Sequence, residues 1–218
     1  GGDKSAWEDV QPILETVAAK VGDDPCVTYI GESSSGHYVK MVHNGIEYGL
    51  MQLIAEAYDV LKRVGGMSND EMSALFDSWN KGRLNSYLIE ISADILKQRD
   101  DKLDGHLLDV ILDKAKQKGT GKWTSQTAMD LGVPVPTIDS AVTMRGISAF
   151  KEFRQDMSKI YSDVETKTDY LKGDGLATAV EEALYFSFII CYAQGMHLLA
   201  EASEELNYDL DMEGIARI

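Results

Sequence analysis

His37-Tyr-Val-Lys-Met-Val-His-Asn-Gly-Ile-Glu-Tyr48 is the stretch on which the reading of this chain turns. At about 100° per residue, Lys40, His43, Asn44 and Glu47 share a sector of roughly 100°, with Lys40 and Glu47 nearly eclipsed two turns apart. Val39, Val42, Ile46, Leu50 and Leu53 form an adjoining apolar face. The spacing predicts a long helix with one side in a core and a polar stripe of amine, imidazole, amide and carboxylate beside it. Spacing alone favours solvated ion pairs, worth about 0.2–0.5 kcal/mol each. Gly45 and Gly49 argue for more, since glycine inside a helix costs about 1 kcal/mol relative to alanine and points to a closely packed neighbour. Tyr38 and Tyr48 bracket the stripe, and Gly31-Glu-Ser-Ser-Ser-Gly36 feeds a helix N-terminus whose N–H groups can receive an anion.

The 218 residues suffice for a sizeable core in one or two domains. With 21 basic against 36 acidic residues the net charge is −15, which disfavours nucleic acid as a partner. The nearest basic cluster, Lys114-Ala-Lys-Gln-Lys118, is short, whereas a small anionic substrate needs only a few local cations. Cys26 and Cys191 sit in apolar runs with no CxxC partner, so packing is their expected role and neither a zinc site nor a disulfide framework is indicated. No apolar run reaches the roughly 20 residues of a membrane span, and no basic-then-apolar leader opens the chain. The expectation is a cytoplasmic protein without membrane contact.

Four prolines and sustained 3.6-residue periodicity indicate an all-α fold. Ser5-Ala-Trp-Glu8 reads as a capping box opening a helix to about Val21, and Pro25-Cys-Val-Thr-Tyr-Ile30 as one orphan strand. The long helix from Gly36 should end at Gly65-Gly66, and Ser68-Asn-Asp-Glu71 should start the next. Further helices are expected over Leu84–Gln98, Leu103–Lys116, Lys122–Leu131, Thr137–Tyr161 and Leu176–Asn207, with Ser162–Gly175 as an exposed connection. The apolar run Tyr185-Phe-Ser-Phe-Ile-Ile-Cys-Tyr192 suggests a last long helix buried on most sides. Met51-Gln-Leu-Ile-Ala-Glu-Ala57 recurs as Met196-His-Leu-Leu-Ala-Glu-Ala202, identical at five of seven positions. Tyr185, Ile189 and Tyr192 then stand where the first copy has Lys40, Asn44 and Glu47, so the polar stripe is not duplicated. The second copy is followed by sixteen residues and an incipient helix near Asp211, which reads as a truncated second repeat.

Gly36-His-Tyr-Val-Lys-Met-Val-His-Asn-Gly-Ile-Glu-Tyr-Gly49 and Gly119-Thr-Gly-Lys-Trp-Thr124 resemble the two substrate motifs of the 6-phosphogluconate dehydrogenases. Asp77-Ser-Trp-Asn80, Tyr87-Leu-Ile-Glu-Ile91, Val133-Pro-Val-Pro136, Ala141-Val-Thr-Met-Arg145 and Tyr192-Ala-Gln-Gly195 extend the resemblance in order along almost the whole chain. It departs from the family pattern at Ser33-Ser-Ser35 and at Thr143-Met144 and Gly146-Ile147 around Arg145. The resemblance implies the central helical domain of a decarboxylating enzyme. Residues 1–35 would end the linker from a nucleotide-binding domain that holds the main NADP site and owns the strand at 26–30. Residues 36–218 would be a substrate-binding and dimerisation domain, incomplete at its C-terminus. No GxGxxG is present, and Gly-Thr-Gly-Lys122 is not a P-loop, because Trp123 follows the lysine and Lys116 occupies the first glycine position.

The reaction implied is oxidative decarboxylation of 6-phosphogluconate to ribulose 5-phosphate with NADP reduction, by a homodimer of the pentose phosphate pathway. By the same resemblance, Lys40 is the general base and Glu47 the general acid. His43 and Asn44 hold substrate, Tyr48, Lys122 and Arg145 meet its phosphate, Thr124 assists, and no metal takes part. Another β-hydroxyacid dehydrogenase would share Gly36, Lys40 and Asn44, but Glu47, Tyr48, Lys122 and Arg145 favour the phosphorylated substrate. A helical interaction module without chemistry stays open as an alternative, and this chain alone is expected to be inactive.

Overall fold

The structure, a computed structural model, describes residues 1–161 and 174–218, so the expected connection 162–175 lies outside the described residues up to position 173. The opening stretch is helical as its periodicity predicts. Helix α2 runs Ser35–Arg63, with Val39, Val42, Ile46 and Leu50 buried and Lys40 and His43 exposed. It stops at the predicted glycines: Gly66 adopts a φ of 67°, and the amides of Gly65 and Met67 donate to the carbonyls of Val60 and Leu61.

The described residues form two compact units, Gly1–Glu47 with Lys118–Ile138 and Tyr192–Ile218, and Tyr48–Gln117 with Asp139–Cys191. The first contains α1 (Lys4–Val17), the antiparallel ribbon β1 (Lys20–Val21) and β2 (Asp24–Pro25), and the beginning of α2. It also contains α6 (Thr120–Asp130), the end of α9 (Asp174–Glu205) and α10 (Met212–Arg217). Its core gathers Val42, Ala128, Val135, Ile138, Leu198 and Leu199. Two glycines allow close approach to α2. A Cβ on Gly45 would stand 2.7 Å from Thr124 Cγ2, and one on Gly195 would overlap the Ile46 side chain.

The second unit holds α3 (Asn69–Trp79), α4 (Tyr87–Lys97), α5 (Leu107–Val110), α8 (Lys151–Ile160) and most of α7 (Pro136–Ala149). Leu61, Met72, Phe76, Leu84 and Ile89 are fully buried, each contributing about 1.5–3 kcal/mol of apolar transfer. Ser73 donates to the Ala93 carbonyl at 2.7 Å, which ties α3 to α4. The capping box at Ser68 is complete: Ser68 Oγ accepts from the Glu71 amide and Glu71 accepts from the Ser68 amide. The sequence repeat falls in α2 and α9, each followed by a turn and a capped helix, Asp211 accepting from the Gly214 amide at α10.

Several sequence expectations need correction. Helix α1 starts at Lys4 with Asp3 as N-cap and no side-chain cap bond, so Ser5 is not a cap, and it ends at Val17 rather than Val21. Residues 26–30 form no ladder. The ribbon at 20–25 precedes them, and the end of the segment is tied to the 208–211 turn, with the Glu32 amide donating to Tyr208 and the Asp211 amide to Ile30.

The helix expected over Leu103–Lys116 shrinks to α5. Asp100 Oδ1 accepts from the Lys102 and Leu103 amides, Gly105 takes a φ of 147°, and Asp70 holds both Arg99 and His106 at 2.8 and 2.9 Å. Beyond Val110, Arg154 donates to the Asp113 carbonyl, and Ser148 Oγ bonds the Ala115 amide. Side chains thus capture backbone groups that a helix would pair internally. Thr137–Tyr161 is broken at Phe150 into α7 and α8, where Arg154 donates to the Ser148 carbonyl in the last turn of α7. The Lys151 ammonium first, and then the Arg154 guanidinium, pull the Asp113 carboxyl down to about 2.

The long C-terminal helix α9 is not buried on most sides: Phe186, Ile189 and Tyr192 are about half exposed or more, while Leu184, Phe188 and Cys191 are buried. Burial pushes the Cys191 thiol up to about 12, in keeping with a packing role. By length and composition α9 meets the requirement for a membrane span, contrary to the sequence expectation. Leu184, Phe188, Cys191, Leu198 and Leu199 of this helix are buried. Val10, Ile13, Leu14 and Val17 of α1 form a second exposed apolar stripe, at helical spacing.

The cap assignments predict that Ser68→Ala lowers unfolding free energy by about 1 kcal/mol, while Ser5→Ala changes it by less than about 0.5 kcal/mol. Urea titration of both variants checks this, and equal losses would contradict it.

Candidate functional site

In the first unit, Lys40 Nζ lies 3.0 Å from His43 Nδ1, and the same ring nitrogen lies 3.7 Å from Glu47 Oε2. Amine, imidazole and carboxylate therefore cluster along one helix face, with Nδ1 able to bond only one of its two neighbours at a time. His43 Nδ1 has a single position for a proton or a lone pair. When the Lys40 ammonium donates to it, Nδ1 is an acceptor and the ring proton sits on Nε2. A neutral Lys40 amine can instead accept from an Nδ1–H. The two protonation states of Lys40 thus correspond to two states of His43. Asn44 is half-buried beside them, and its side chain has no hydrogen-bond partner among the described residues.

Lys122 stands in the first turn of α6, exposed and without a salt-bridge partner among the described residues. The amides of that turn add positive potential at the helix N-terminus. Thr124, one turn on, is fully buried. Its hydroxyl reaches the carbonyls of Met41 in α2 and Thr120 in its own helix, both at 2.9 Å. A cleft of about 440 Å³ opens beside Lys40, walled by Tyr38, Trp123 and Tyr208 with His37 and Ser34 at its edge. Tyr38 and Tyr208 have ring centroids 5.7 Å apart. Tyr38 hydrogen-bonds Thr127 at 3.2 Å, and Tyr208 meets Ser34 at 3.0 Å.

In the second unit, the Arg145 guanidinium lies 3.8 Å from the centre of the Tyr48 ring, and it donates to the Lys116 carbonyl at 3.0 Å. Two of the three residues singled out for phosphate are thereby held together, the cation stacked on the ring face. The second unit also has a cleft of about 510 Å³, but Asp70, Asp77, Glu90 and Asp94 line it, and their charge repels an anion.

The structure joins Lys40, His43 and Glu47 to one another, Tyr48 to Arg145, and Thr124 to α2 rather than to open space. Sequence reasoning missed Trp123 and Tyr208 as cleft walls and Gly195 as a close-packing position. The Tyr-Ala-Gln-Gly195 match already held the glycine, but nothing in one sequence says which helix it meets.

The sequence profile described as "6-phosphogluconate dehydrogenase, C-terminal domain" matches residues 36–218. The whole chain is 56% identical over 218 residues to the NADP(+)-dependent, decarboxylating 6-phosphogluconate dehydrogenase of Bacillus subtilis. It is 53% identical over 220 residues to the decarboxylating 6-phosphogluconate dehydrogenase of Lactococcus lactis subsp. lactis, and it covers 46% of each of these relatives. Among solved structures, Plasmodium falciparum 6-phosphogluconate dehydrogenase, studied in apo form and in complex with its cofactor NADP+ and its substrate 6-phosphogluconate, matches with a TM-score of 0.94. The identity there is 48%, over 100% of this chain and 47% of that one. The chain belongs to the 6-phosphogluconate dehydrogenase family. It spans less than half the length of the curated relatives it matches.

The Lys40–His43 contact predicts that the neutral His43 ring carries its proton on Nε2. In Lys40→Met the Nδ1–H form should gain population, as read by 15N chemical shifts of the ring. An unchanged tautomer balance would show that the contact does not control the ring.

Proposed function

We propose that this chain provides the substrate-handling residues of a decarboxylating 6-phosphogluconate dehydrogenase, which oxidises 6-phosphogluconate to ribulose 5-phosphate. The observation that supports the reading best is the cluster of Lys40, His43 and Glu47 on one open helix face, in a member of this family. Lys40 would take the proton of the substrate's 3-hydroxyl as the C3–H bond is oxidised. Loss of carbon dioxide from the resulting 3-keto acid leaves an enediol, whose C1 takes a proton from Glu47. The base must be neutral and the acid protonated at their respective steps. Lys40 is exposed within this chain.

His43 and Asn44 would hold hydroxyl and carboxylate groups against Lys40, a positioning contribution. Lys122, with the amides of the first turn of α6, and the stacked Tyr48–Arg145 pair would receive the phosphate. NADP supplies the hydride acceptor. Its pyrophosphate has no fitting holder among the described residues, which contain no glycine-rich turn between a strand and a helix. No residue of this chain is assigned to it, and the chain alone is expected to be inactive. Residues 36–218 would also carry the contacts of a cytoplasmic homodimer, for which Phe150, Phe153, Phe186 and Ile189 offer exposed apolar surface.

In the full-length enzyme, Lys40→Met and Glu47→Gln should each reduce turnover by roughly 10²–10⁴-fold while affinity for 6-phosphogluconate changes by only a few-fold. Steady-state kinetics with direct binding measurements test this. Near-normal turnover in either variant would overturn the assigned roles.

A further inference from the structure

We infer that Ser148 is a positioning residue for Arg145: its hydroxyl, with Asp113 as a second anchor, holds the segment 113–116 so that the Lys116 carbonyl aims the guanidinium at an incoming phosphate. The inference rests on the reading of Arg145 as a phosphate contact.

Arg145 stands in α7, and its guanidinium lies on the face of the Tyr48 ring in the second unit. Nη1 donates to the Lys116 carbonyl at 3.0 Å, and Nη2 lies 3.8 Å from the Met51 sulfur. Of the five N–H donors of a guanidinium, those two contacts leave three for an anion among the described residues. An arginine side chain has many rotamers, and an anion binds better when one of them is selected in advance. The Lys116 carbonyl makes that selection, provided that it is itself fixed. Residues 111–117 belong to no helix or strand, so no ladder of their own fixes it.

Ser148, three residues after Arg145 and in the last turn of α7, supplies the fixing. Its Oγ accepts from the Ala115 amide at 3.0 Å and lies 2.8 Å from the Arg145 carbonyl. The Ala115 carbonyl is farther off, at 3.3 Å, so the one hydroxyl proton goes to Arg145. The bonds therefore close a ring: from the Arg145 backbone through Ser148 to Ala115, on to Lys116, and back to the tip of the Arg145 side chain. Root and tip of the arginine are tied to the same short stretch of chain. The second anchor lies just upstream. Lys151 and Arg154 meet the two carboxylate oxygens of Asp113 at 2.6 and 3.0 Å, and Arg154 also donates to the carbonyls of Asp113 and Ser148 at 2.7 and 3.1 Å. Arg154 thus joins one anchor to the other, and neither Ser148 nor Asp113 has to touch the ligand.

The test is a double-mutant cycle in the full-length enzyme, with affinities measured for 6-phosphogluconate and for gluconate, which lacks the phosphate. Ser148→Ala should weaken 6-phosphogluconate binding at least fivefold and leave gluconate binding within twofold. In an Arg145→Ala background the same Ser148→Ala change should cost less than a further twofold. Ser148→Thr, which keeps the hydroxyl, should stay within threefold of the parent. Asp113→Asn, which removes the charge that Lys151 and Arg154 hold, should also weaken the phosphorylated ligand selectively, and it replaces Ser148→Ala in the cycle if that variant does not fold. Equal losses for both ligands would overturn the inference, as would unchanged 6-phosphogluconate affinity in a folded Ser148→Ala. So would additive effects of Ser148→Ala and Arg145→Ala, since Ser148 would then act on the ligand without Arg145. Unchanged affinity in Arg145→Ala alone would instead overturn the phosphate reading of Arg145, and this inference with it.

Discussion

The polar stripe of this domain depends on the passage of one helix through a space with no room for side chains. Within the first unit, α2 meets α6 at Gly45 and α9 at Gly195, and both contacts are too close for a Cβ. Val42 and Ile46 fill the α9 side, and the Thr124 hydroxyl bonds α2 backbone on the α6 side. What is left uncovered is the sector bearing Lys40, His43 and Glu47. Close packing at two flanks holds the helix rigidly, while the third face can carry charged side chains without desolvating them.

The electrostatics follow the same division. A chain with net charge −15 has to concentrate its cations locally to bind an anion. Lys40 and Lys122 are the exposed cations proposed for that role in the first unit, and Arg145, held by the Tyr48 ring and the Lys116 carbonyl, is the one proposed in the second. Acidic residues are gathered elsewhere, around the cleft that contains Asp70, Asp77, Glu90 and Asp94. Asp113 pairs with Lys151 and Arg154, and Asp70 with Arg99 and His106.

What was legible in the sequence was set by local rules. The periodicity of α2, the Gly65-Gly66 stop and the Ser68 capping box each depend on a few neighbouring residues, and each is present. The misreadings arose where distant side chains decide. Leu103–Lys116 has helical spacing, yet Asp70, Ser148 and Arg154 take hold of the chain around it. The apolar run of α9 promised burial on most sides, but apolarity does not reveal which face this chain covers and which it leaves exposed. Thr124 was legible as part of a motif, whereas its direction, into α2 and away from solvent, was not. Gly45 was visible as a misfit, and its partner became identifiable only in three dimensions.

The most direct test is a crystal structure of the full-length enzyme with 6-phosphogluconate bound. The account predicts the C1–C3 end of the ligand over Lys40, Asn44 and Glu47, with its phosphate in contact with Lys122. A ligand lying in the opposite direction would contradict it.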